Sequence, residues 1–86
     1  MYAVADEHLE TPTAPQGSAV RITAAGPALW RVVDASGRVI GHLQALVEGG
    51  TVRYRARRFH PASRAFRDLG EFWSTADAID CLRFAR

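Results

Sequence analysis

Between Ala28 and Phe72 no run exceeds about ten residues before a turn signal interrupts it. Asp34-Ala35-Ser36-Gly37, Glu48-Gly49-Gly50-Thr51 and His60-Pro61-Ala62-Ser63-Arg64 are the interruptions. Each combines residues that supply left-handed backbone, a fixed φ or a side chain that caps a turn. The runs between them are Leu29 to Val33, Val39 to Val47, Val52 to Phe59 and Ala65 to Phe72, rich in β-branched and aromatic residues. Connections this short cannot hold a parallel crossover, so the strands must form an antiparallel meander. The Gly49-Gly50 pair suits the two positive φ angles of a tight hairpin.

A helix is expected after the last strand. Ser74 is a good N-cap, and Asp77 occupies the third helical position of a capping-box-like start. Ala76, Ile79 and Leu82 then recur at helical spacing to about Arg83, with Phe84 packing back on the core. The expected fold class is α+β: a three- to four-stranded antiparallel β-meander packed against one C-terminal α-helix. Residues 1–27 read as a flexible, acidic N-terminal tail and 28–86 as the basic domain. Thr11-Pro12-Thr13-Ala14-Pro15-Gln16-Gly17-Ser18 has nothing to bury, and Ala24-Ala25-Gly26-Pro27 breaks any strand begun at Val20-Arg21-Ile22-Thr23.

At 86 residues the chain has room for one domain, and its 48% hydrophobic content is too high for a wholly disordered one. No apolar run reaches membrane-spanning length, and the first residues lack a basic start and apolar stretch. A cytoplasmic setting and no membrane partner are the expectations. Cys81 stands alone, so neither an internal disulfide nor a cysteine-based metal cluster can form. His8, His42 and His60 are far apart and in no metal-type spacing, and no glycine pattern resembles a phosphate loop. The expectation is therefore a non-enzymatic protein without a cofactor or metal, monomeric or weakly homodimeric.

Charge carries the functional argument. Residues 1–20 hold Asp6, Glu7 and Glu10 and no base, whereas all 11 basic residues, every one an arginine, fall in 21–86. Alternation along the third run puts Val52, Tyr54 and Ala56 on one face and Arg53, Arg55 and Arg57 on the other, with Phe59 extending the second row. The three guanidinium groups then stand about 7 Å apart along the strand. From Gly49 to Arg67 there is no acidic residue, and Arg31 and Arg67 extend the patch where register allows. One short helix covers only one side of a sheet. The arginine side is left for water or for an anionic partner, of which phosphate is the commonest. The alternatives are an acidic protein surface, or a strand edge pairing with another chain, as the partner of a non-catalytic interaction module, and a solvated face that keeps the domain soluble and protects its edges. Asp68 and Glu71 are the acids nearest the row, each explicable as a salt-bridge partner.

The segment Leu69-Gly70-Glu71-Phe72-Trp73-Ser74-Thr75-Ala76-Asp77-Ala78 resembles the ending of arm-type and AP2-like DNA-binding domains, such as those at the N-termini of phage integrases. Those domains are a three-stranded antiparallel sheet followed by a helix, and they lay the sheet in the major groove. The resemblance implies that Arg53, Arg55 and Arg57 sit where such a domain contacts DNA.

Overall fold

The computed structural model describes residues 3–4, 11–14, 17 and 19–84. Its elements are β1 (Ala3–Val4), β2 (Val20–Gly26), β3 (Leu29–Asp34), β4 (Val39–Glu48), β5 (Thr51–His60), β6 (Ala65–Phe72) and α1 (Thr75–Phe84). Strands β2 to β6 lie in sequence order, every neighbouring pair antiparallel, and the two-residue β1 pairs with β4 at Leu46 and Val47.

The α+β meander closed by a C-terminal helix is as expected, but the sheet is wider than three or four strands. Val20–Gly26 is a full strand hydrogen-bonded along β3, so the expected boundary at Ala28 falls inside a hairpin. The apparent breaker Ala24-Ala25-Gly26-Pro27 is a strand end with a bulge, followed by the two-residue turn Pro27-Ala28. Ala28 adopts a φ of 53° there, a conformation alanine rarely takes. Its carbonyl accepts from Ala45 N at 2.9 Å, and its side chain is buried. Residues 1–2, 5–10, 15–16 and 18 of the expected tail lie outside the described residues.

The other turns follow their chemistry. Gly49 and Gly50 have φ of 58° and 80°, as a tight hairpin between Glu48 and Thr51 requires. The Asp34 carboxylate accepts from Ser36 N, Ser36 Oγ and Arg38 N at 2.9, 2.7 and 3.0 Å, holding the β3–β4 turn. Ser74 caps α1 as expected, its Oγ accepting from Asp77 N at 3.1 Å.

The core is a single layer between α1 and one sheet face. Trp30, Val32, Leu43, Ala45 and Ala56 meet Ala78, Ile79 and Leu82 of the helix. Ala78 takes the inward place expected of Ala76, and Phe84 is 66% exposed rather than folded back. Burying Ile79 and Leu82 contributes about 1.5–3 kcal/mol each. The helix approaches so closely because Gly41 has no side chain: a Cβ there would collide with Leu82 and lie 2.9 Å from the Arg57 carbonyl.

Two bulges then split one end of the sheet. One lies at Val32/Val33, where β4 carries an extra residue, and the other at Ala56/Arg57, where β6 does. Bulges bend a strand and sharpen its twist. The β4–β5 ladder ends at His42–Arg57, although β4 begins at Val39 and β5 continues to His60. Beyond that pair β4 stays with β3 and β5 with β6, leaving a fork.

Gly41→Ala should lower stability by about 1–3 kcal/mol, the usual cost of overpacking. Gly26→Ala is the matched control: its Cβ would meet only Leu29 at 3.8 Å, so it should be neutral or slightly stabilising. Urea unfolding of both variants measures the difference, and equal effects would contradict the close helix approach.

Candidate functional site

Registered pairs place side chains on the same face of a sheet. His42 lies opposite Arg57 and Arg31, Gln44 opposite Arg55, and Leu46 opposite Arg53. Arg31, Arg53, Arg55 and Arg57 thus share the face turned away from α1, as the alternation predicts. Arg67 does not. It is registered with Arg58, which reaches the helix side and donates to the Leu82 carbonyl and, at 3.5 Å, to that of Ile40. Arg67 therefore belongs to the helix-side surface, where it is exposed.

The row is not a bare line of positive charge. Arg55 donates to Glu71 at 2.9 Å and lies 3.6 Å from Asp68. Arg57 donates to Asp68 at 2.8 Å and to Gln44 Oε1 at 3.4 Å. Arg53 lies 3.8 Å from Glu71 and over the Trp73 ring, 4.3 Å from its centroid. The acid-free stretch of sequence is thus compensated from the neighbouring strand. Arg53, Arg55 and Arg57 are only 31%, 25% and 27% exposed in their side chains, packed flat by these contacts. Arg31 is exposed and makes no ion pair among the described residues.

Aromatic groups interleave with the charges. Phe66 meets Phe59 and His42 edge-on, with centroids 5.5 and 5.1 Å away, and Arg57 sits 5.0 Å over its ring. Phe59, Phe66 and Trp73 are all substantially exposed. Leu46 and Val33 are the buried aliphatic residues of this face.

The sequence places His42 in no metal-type spacing and assigns it no other role. It is half-buried between two arginines, and its Nδ1 is buried without a hydrogen-bond partner. Only cross-strand register could have revealed this, because Arg31 and Arg57 are distant in sequence. Burial, and then the charges of Arg31 and Arg57, hold the imidazole below its ordinary value of 6.5. Among the described residues no group of three potential ligands could hold a metal ion, and no helix is long and apolar enough to cross a membrane.

Because the folded His42 pKa is depressed, the unfolded chain binds the proton more readily. Its contribution to stability is complete above pH 6.5 and is lost as pH falls through the folded value. Asp34 cannot account for this, since hydrogen bonds from Ser36 and then Arg38 hold its carboxyl below 3.8. Thermal melts should show stability falling below pH 6.5, with a flatter profile for His42→Gln. Identical profiles would remove His42 as the cause. No protein-family model, curated protein or solved structure matches this chain, so functional inference rests on the geometry of this face.

Proposed function

We propose that the protein is a small accessory nucleic-acid-binding module that contacts phosphates through the sheet face of Arg31, Arg53, Arg55 and Arg57. The observation that carries the reading is the combination of these arginines, on one face uncovered by the helix, with the exposed rings of Phe59, Phe66 and Trp73. Guanidinium groups match phosphate oxygens, and exposed rings offer stacking surfaces to bases. Among the described residues ten arginines stand against six carboxylates, so the long-range field also favours an anion. A sheet leading into a capped helix agrees with the resemblance to arm-type and AP2-like domains.

The ion pairs shape the interaction. Asp68 and Glu71 hold the guanidinium planes in place and compete with phosphate for them. A protein-docking role is the second reading. The compensated row favours it, and so does the edge strand β2, whose only charged residue is Arg21.

Four phosphate contacts would give a log–log salt slope of about −3.6, and competition from the two carboxylates should bring it toward about −2. Asp68→Asn should tighten oligonucleotide binding and steepen the slope by about one, whereas Arg55→Ala should weaken binding to all sequences alike. Arg67→Ala, on the other face, should change little. Fluorescence anisotropy with duplex DNA, single-stranded DNA and RNA across a salt series measures these effects. If the folded protein binds none of the three near physiological ionic strength, the reading fails and the face passes to an acidic protein partner.

A further inference from the structure

The fork between β4 and β5 opens into a cleft of about 780 Å³, lined by Arg31, Arg38, His42, Phe59, Phe66 and Arg83 among others. That volume lies within the range of small-molecule sites, roughly 300–1,000 Å³. Its floor is built: Arg58 crosses the gap to the Ile40 and Leu82 carbonyls, and Gly41 seats Leu82 beneath it. No carboxylate is among its lining residues. Arg31 and Arg38 are exposed and form no side-chain ion pair among the described residues. The buried Nδ1 of His42 has no hydrogen-bond partner. One wall is therefore cationic and rich in donors, and the other is the pair of exposed phenyl rings Phe59 and Phe66.

We infer that this cleft is a binding site for a nucleoside monophosphate, its phosphate held by Arg31, Arg38 and His42 and its base laid against Phe59 and Phe66. Charge-assisted bonds to phosphate satisfy the arginines, and the phosphate offers an acceptor to the N–H of His42. The flat base covers the exposed rings, which phosphate alone would leave wet. The site differs from the proposed oligonucleotide face. It shares Arg31, Phe59 and Phe66 with that face but uses Arg38, at the β3–β4 turn, in place of Arg53 and Arg55.

Calorimetric titration of the intact protein with AMP, adenosine and inorganic phosphate tests the assignment. AMP should bind at millimolar concentration or below, more tightly than either fragment. Arg38→Ala should weaken AMP roughly tenfold, the worth of one charge-assisted hydrogen bond. Arg38 serves the Asp34 turn through its backbone N and carbonyl O, which alanine keeps, so the variant should fold. Phe59→Ala should weaken AMP but leave phosphate unchanged. Arg53→Ala should leave AMP binding unchanged whatever it does to oligonucleotides, which separates this site from the face. Absence of AMP binding, equal affinity for AMP and adenosine, or an AMP affinity indifferent to Arg38→Ala would each overturn the assignment.

Discussion

The fold turns on the seating of Leu82 over Gly41. A single ten-residue helix covers a sheet of far greater area, and it does so by lying close. Closeness demands small residues beneath it, and Gly41, Ala45 and Ala56 provide them on adjacent strands. Arg58 completes the attachment from the side by donating to the Leu82 carbonyl, one of the last-turn acceptors with no partner inside the helix. A cation at that end also suits the helix dipole. The buried residues of α1, Ala78, Ile79 and Leu82, are all spent on the helix side of the sheet.

From that asymmetry the chemistry of the two faces follows. The helix side takes the core aliphatics together with Arg58 and Arg67, while the far side takes Arg31, Arg53, Arg55, Arg57, His42 and Gln44. The same alternation brings cations next to one another across strands, which is unfavourable without compensation. Two carboxylates and several aromatic contacts supply it for Arg53, Arg55 and Arg57. Beyond the last β4–β5 pair the compensation stops, and the fork exposes Arg31 and Arg38 instead.

Much of this was legible in the sequence because it is local. Turn residues gave the strand limits to within about a residue, Ser74 gave the helix start, and alternation gave the arginine row. What escaped reading was set by exceptions to local rules. Strand β2 was hidden by a turn that places an alanine, and not a glycine, in left-handed backbone. Arg67 was joined to the row on condition of register, and its register with Arg58 sends it to the other side. His42 acquires its environment from partners on two other strands, information no single run of residues contains.

The bulge in β6 is the most consequential of these exceptions. Residues three apart on a regular strand face opposite ways, so plain alternation would give Asp68 and Glu71 to different faces. The extra residue between the Arg57–Asp68 and Ala56–Gly70 pairs reverses one of them, and both carboxylates arrive on the arginine face. Without it, Arg53 and Arg55 would lose Glu71 as a partner and the row would carry a denser uncompensated charge. With it, the row becomes a braced, nearly neutral strip, and the uncompensated charge concentrates at the forked end of the sheet. A partner that relies on charge alone is therefore drawn first to Arg31 and Arg38. One that engages the row must offer oxygens able to displace, or share, the carboxylates already there. The face consequently discriminates by geometry as well as by sign, a property the count of arginines does not reveal.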